Sequence, residues 1–217
     1  MKQIDRLLAQ KLLHISAIVL QPENPFTWAS GWNSPIYTDN RKTLSYPDVR
    51  TFIKIELCRL IMETFGAPDA IAGVATGAIA QGALVADELS VPYAYVRSTP
   101  KDHGLENLIE GNLRPGQKVI VVEDLISTGA SSLKVVEAIR NAGCEVIGMV
   151  AIFTYDFPEA IKAFKDAKVK LVTLSNYNAL LEEAVATNYI RKTDLETLKE
   201  WRKNPSEWTP DSAKEVE

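Results

Sequence analysis

Val119-Ile120-Val121-Val122-Glu123-Asp124-Leu125-Ile126-Ser127-Thr128-Gly129-Ala130-Ser131 is the stretch that decides the fold. Four consecutive Val/Ile residues with no polar alternation suit a strand covered on both faces, as in a parallel sheet. Two carboxylates close the run, and a short loop of small and hydroxyl-bearing residues leads into a helical pattern. The carboxyl ends of strands are where open α/β sheets place ligands. The loop Ser127–Ser131 offers backbone N–H groups and hydroxyls at a helix N-terminus, a cradle for phosphate. Neighbouring strand residues face opposite sides, so Glu123 and Asp124 diverge unless the strand ends before them. Carboxylates beside a phosphate site suit the vicinal hydroxyls of a sugar. The plainer reading, a strand end and a helix cap, is weighed against this. A loop otherwise shaped for phosphate, without the lysine of a nucleotide P-loop, favours the sugar-phosphate reading.

On either side of this stretch, short apolar runs alternate with helical periodicity. The runs are Asp69–Val74, Pro92–Val96, Lys118–Val122, Glu145–Phe153 and Lys170–Leu174; the helical stretches are Ala78–Leu89, Ser131–Ala142 and Pro158–Asp166. That order predicts an α/β fold with a mainly parallel central sheet and right-handed crossovers. Ile4, Leu7, Leu8, Leu12 and Ile15 carry helical spacing at the start, with His14 read as structural. A second helix is expected from Pro47 to a stop at Gly66. Gln21–Ser34 reads as loop and short strand, and the charged tail after Arg191 as a helix with a loose end. The expected organisation is one domain over residues 1–217: a small N-terminal hood to about 45, a core over 46–190 and a tail over 191–217. The chain has 24 Lys and Arg against 28 Asp and Glu, net charge −4, which argues against non-specific nucleic-acid binding. No apolar run reaches the roughly 20 residues of a membrane span. Cys58 and Cys144 stand alone, without metal-ligand spacing, and free thiols suit a cytoplasmic location.

The central stretch resembles the 5-phosphoribosyl-1-diphosphate (PRPP) signature of the type I phosphoribosyltransferases. The resemblance implies that Glu123 and Asp124 bind the ribose hydroxyls. It places Leu125, Ile126, Ser127, Thr128, Gly129, Ala130 and Ser131 around the 5-phosphate, with Ser127 also facing the nucleobase. Two further stretches are similar to orotate phosphoribosyltransferases. Phe26-Thr-Trp-Ala-Ser30-Gly31-Trp-Asn-Ser34-Pro35-Ile36-Tyr37-Thr-Asp39 resembles their hood over the base, and Tyr95-Val-Arg97-Ser-Thr-Pro-Lys101-Asp-His103-Gly104 their mobile catalytic loop. By itself the second would be a solvated basic loop. In a Gly- and Pro-containing segment, Arg97, Lys101 and His103 fit a lid over an anionic leaving group. Gly73-Val-Ala75-Thr76-Gly77-Ala78 could be a weak dinucleotide loop; the resemblance assigns Ala75, Thr76 and Gly77 to diphosphate.

The resemblance further implies transfer of phosphoribose from PRPP to orotate, giving orotidine 5′-monophosphate and diphosphate in pyrimidine synthesis. Mg²⁺ is the implied cofactor, carried by substrate oxygens, with no protein residue assigned as its ligand. Lys101, His103 and Asp124 are the implied catalytic residues. A homodimer is implied, with Arg97, Lys101 and His103 acting in trans. The chain departs from many orotate enzymes at Ala29, Thr76 and Ser98, where they carry lysine, and at Thr154-Tyr155-Asp156, where an arginine is expected. Hood backbone N–H groups, Arg41 or Lys42 are the substitutes considered for the orotate carboxylate. A purine phosphoribosyltransferase is disfavoured by the hood. A PRPP-sensing regulator is disfavoured by the full set of loop cations and by an N-terminus too short for a winged helix.

Overall fold

The computed structural model describes residues 2–28, 31–97 and 108–210. Its centre is a six-stranded sheet built from β5 (Ala70–Val74), β6 (Tyr93–Val96), β7 (Ile109–Gly111), β8 (Lys118–Ile126), β9 (Glu145–Thr154) and β10 (Leu171–Asn176), in the order β10-β9-β8-β5-β6-β7. Five strands are parallel and the edge strand β7 runs antiparallel to β6. Val119, Ile120, Val121 and Val122 are fully buried, as the unbroken apolar run requires. Each such side chain contributes about 1.5–3 kcal/mol relative to exposure.

The chain turns from β5 to β6 in one direction across the sheet, and from β8 through β9 to β10 in the other. Right-handed crossovers then put the connecting helices on opposite faces. On one side α3 (Ile79–Leu89) lies beside α2 (Pro47–Thr64); α4 (Ala130–Asn141) and α5 (Pro158–Asp166) pack together on the other. Because β5 and β8 are neighbours, the loops after them open onto the switch point of the sheet, where α/β folds leave a crevice.

The N-terminal helix α1 (Lys2–His14) lies against β10 and α6 (Tyr177–Ala186). Ser175 donates to the Asp5 carbonyl (2.8 Å), and the Arg6 guanidinium bonds the Glu183 carboxylate (2.9 Å). His14, expected to be structural, is exposed at the end of α1. After α1, β1 (Ile18–Leu20) pairs with β4 (Ile36–Thr38), and between them β2 (Phe26–Thr27) pairs with β3 (Asn33–Ser34). A 3₁₀ helix, Asn40–Ser45, begins behind an Asp39 cap and leads to α2, with Pro47 in its first turn. The last helix, α7 (Asp194–Lys203), sits on the tail. Among the described residues no helix is long and apolar enough to cross a membrane. Cys58 and Cys144 are free and buried.

The expected strands differ from the observed ones chiefly at β8, which continues past Val122 to Ile126. Pairing with β9 (Glu123 opposite Ala151, Leu125 opposite Phe153, Ile126 opposite Thr154) carries the backbone through the two acids.

Candidate active site

β8 does not end at Val122, so strand alternation starts Glu123 and Asp124 on opposite faces, but the Glu123 side chain folds back to the Asp124 backbone and the two carboxyl groups stay within reach of each other. Glu123 is buried. Its carboxylate accepts from Ser132 Oγ (2.7 Å) on α4 and from the Asp124 N–H (2.9 Å). Burial, reinforced by the negative charge of Asp124, pushes the Glu123 carboxyl well above the ordinary carboxylate range. Asp124 is half-buried and faces the crevice. Its carboxylate lies against the Cα of Gly77, so closely that a Cβ at that position would fall on both carboxylate oxygens. The loop after β5 and the outward acid of β8 therefore converge at the switch point, and only a glycine permits that approach.

The strand-end loops are anchored on each side. The Ala75 N–H bonds the Val96 carbonyl (2.9 Å), tying the first loop to β6; the Ala75–Thr76 peptide is cis. Arg97 follows directly, its N–H bonded to the Leu108 carbonyl (2.9 Å). Behind Asp124, Asn40 Nδ2 donates to the Asp124 carbonyl (2.7 Å), and Thr43 Oγ1 to the Asn40 carbonyl (2.6 Å). Gly129 caps α4 with φ +80, and a Cβ there would lie 2.7 Å from the Phe164 ring, so glycine is required twice over. The Leu133 N–H bonds back to Gly129 (2.9 Å), which leaves the amides of Ala130, Ser131 and Ser132 directed out of the helix N-terminus. That is an anion site by geometry.

Beside the crevice a cavity of about 320 Å³ is lined by Thr27, Trp28, Tyr37, Thr38, Leu125, Ser127 and Tyr155. Trp28 and Tyr155 face each other at 5.5 Å between ring centroids, and Tyr155 donates its phenol to Thr38 Oγ1 (2.9 Å). Burial raises the Tyr155 phenol, keeping it a neutral donor. The cavity is lined by aromatic rings, with hydroxyls of Thr27, Thr38 and Ser127 among its lining residues, a composition suited to a small heterocycle.

The structure thus brings Asp124, Ala75, Thr76 and Gly77 to one crevice, with Ser127, Thr128, Gly129, Ala130 and Ser131 on the adjoining loop. Ser127 and Leu125 also border the aromatic cavity. Glu123 is buried beside Asp124, and Ile126 has a fully buried side chain, its carbonyl taken by the Tyr155 N–H (3.1 Å). Lys101 and His103, with Ala29 and Ser98, lie outside the described residues. Of the substitutes for a carboxylate-binding lysine, Lys42 turns to the Ser16 carbonyl (2.9 Å). Arg41 is paired with Asp39, which chiefly raises its pKa; the charges of Tyr37 and Asp124 reach it more weakly. Sequence reading assigned no role to Tyr37, Tyr155 or Asn40. An aromatic one residue past the carboxyl end of a buried strand was the available signal for Tyr155.

The sequence pattern of the phosphoribosyl transferase domain matches residues 52–186. An orotate phosphoribosyltransferase of Bacteroides fragilis is 71% identical over 208 residues, 96% of this chain and 98% of that one. Among solved structures, orotate phosphoribosyltransferase from Aeropyrum pernix superposes with a TM-score of 0.74 at 28% identity, over 85% of this chain and 99% of that one. Leishmania donovani UMP synthase gives 0.78 at 25% identity, over 93% of this chain and 42% of the other.

Proposed function

The chain belongs to the orotate phosphoribosyltransferase family, and from that premise we propose how its residues divide the work of joining orotate to PRPP. N1 of orotate gives up its proton to solvent and bonds to C1 of the ribose as the C1–oxygen bond to diphosphate breaks and the electron pair leaves with diphosphate, with inversion and positive charge developing on the ring. Such a reaction asks the protein for positioning and for electrostatic stabilisation more than for covalent chemistry. In our reading Asp124 takes the ribose hydroxyls, the amides and hydroxyls over 127–131 take the 5-phosphate, and Ala75–Gly77 receive the diphosphate. Glu123 is a buttress: held by Ser132, it shapes the turn from strand to helix and does not touch the sugar. Orotate fills the cavity lined by Trp28, Tyr37, Leu125 and Tyr155, with Ser127 at its edge.

The observation that carries this reading is the contact of the Asp124 carboxylate with Gly77, which brings a sugar-binding acid and a small-residue loop to the same point of the crevice. Mg²⁺ fits the site. Asp124 offers a hard carboxylate oxygen, the kind of donor the ion takes beside oxygens of its ligands. When bound it neutralises diphosphate charge. Arg97 stands at the root of the loop that carries Lys101 and His103, and we assign those three to the leaving diphosphate, supplied across a homodimer by the partner chain. The free buried thiols suit a reducing cytoplasm.

The test is the loss of orotate absorbance on adding PRPP and Mg²⁺, with uracil, hypoxanthine and adenine as controls and a chelator as a further arm. Orotate should be consumed alone, and only with Mg²⁺ present. Turnover of a control base in place of orotate, or full turnover in chelator, contradicts the reading.

A further inference from the structure

We propose that Trp201, on the C-terminal helix α7, is a positioning residue for the nucleobase cavity, setting the separation of Trp28 and Tyr155 from behind. Taking that cavity as the orotate site rests on the function proposed above. Both Trp28 and Trp201 lie outside residues 52–186, the part of the chain that matches the family's shared domain.

The wall of the cavity needs outside support. Trp28 follows β2, and the β2–β3 hairpin has only two residues in each strand, too few to hold a shape unaided. Trp28 Nε1 donates to the Ile36 carbonyl (3.0 Å), which fixes one edge of the ring. The other constraint comes from α7. Trp201 is fully buried, and its ring meets Trp28 at 5.6 Å and Tyr155 at 5.7 Å between centroids, both close to perpendicular. Edge-to-face contacts of this kind fix ring orientation as well as distance. Trp201 Nε1 also donates to the Asn33 carbonyl (3.2 Å), so one side chain touches both rings and the backbone of β3.

The helix that carries it is itself seated firmly. Tyr177 Oη donates to the Leu198 carbonyl (3.0 Å), and Leu198 is fully buried. Displacing α7, or removing the indole N–H, therefore releases β3 and loosens the hairpin that holds Trp28. The 5-phosphate and diphosphate loops are anchored mainly through α4 and β6, with the Tyr155 N–H on the Ile126 carbonyl tying them to this aromatic group, so the change reaches them more weakly. The consequence is selective: orotate binding depends on Trp201 more than PRPP binding does.

Trp201→Phe keeps an aromatic ring and removes the indole N–H. KM for orotate should rise about 2- to 12-fold, the range of one neutral hydrogen bond, with the rise in KM for PRPP clearly smaller. A merely structural role would lower the melting temperature and the amount of active enzyme without changing the ratio of the two KM values. An unchanged orotate KM, or an equal rise in both, overturns the proposal. A second measurement needs no variant. In the unmodified protein, orotidine 5′-monophosphate should slow amide hydrogen exchange over 198–202 more than ribose 5-phosphate does; equal protection overturns the proposal too. Wild-type enzyme that ignores orotate would instead refute the function on which this inference rests.

Discussion

Gly77→Ala isolates the contact on which the site depends. Gly77 lies outside the positive-φ region, so alanine is conformationally acceptable there. The new methyl, however, would occupy the position of the Asp124 carboxylate. Carboxylate and methyl must separate by roughly 1 Å to reach ordinary contact. A charge-assisted hydrogen bond of about 2.7–2.9 Å does not survive such a shift. Losing one costs about 1.5–3 kcal/mol, so PRPP affinity should fall roughly 10- to 150-fold. The fold should be nearly untouched, with a melting temperature within about 4 °C of wild type, the change that ~1 kcal/mol makes in a chain of this size. Isothermal titration with PRPP gives the affinity. The decisive addition is Asp124→Ala, which removes both the ligand group and the collision. On that background Gly77→Ala should cost no more than about threefold further, a coupling nearly as large as the single effect. Unchanged PRPP affinity in Gly77→Ala, or two losses that simply multiply, would refute the reasoning.

Glu123→Gln tests the inward acid. A carboxyl whose folded-state pKa is raised contributes stability that is complete below its unfolded pKa and disappears as pH rises through the folded value. The variant should therefore gain on wild type as pH rises from 5 to 8, read as the difference between their melting temperatures; a difference that ignores pH removes the buttress reading. Ser127→Ala should raise KM for orotate about 2- to 12-fold and affect PRPP less, since the hydroxyl borders the aromatic cavity; an effect on PRPP alone returns Ser127 to the phosphate loop. Mixing Lys101→Ala with Asp124→Asn chains after subunit exchange should restore roughly a quarter of wild-type activity, because about half the dimers are mixed and each holds one intact site. No recovery despite exchange confirmed by native mass spectrometry places the loop over its own chain's site.

Much of the fold is legible because burial on both faces leaves an unbroken apolar signature. Val119–Val122 and Glu145–Phe153 mark central strands, and Pro158 marks the start of α5. β8 is longer than its apolar run because backbone pairing with β9 continues whatever the side chains are. β7 is a three-residue edge strand with no apolar run to announce it. α6 did carry a signal, with Asn176 accepting from the Ala179 N–H as a cap before Leu180, Leu181 and Ala184. The loop over 127–131 is readable because contiguous residues form it. The aromatic cavity is not, since Trp28, Tyr155 and Trp201 meet only through tertiary packing.

In our proposal the Asp124 carboxylate of β8 holds the ribose of PRPP at the switch point of the sheet. Calorimetric titration of PRPP into wild type and Asp124→Asn tests it most directly, because the variant keeps the shape and removes the charge. Affinity should drop about 10- to 150-fold with the melting temperature little changed, since Asp124 is only half-buried. Equal affinity in the two proteins would contradict the claim and take Asp124 out of the site.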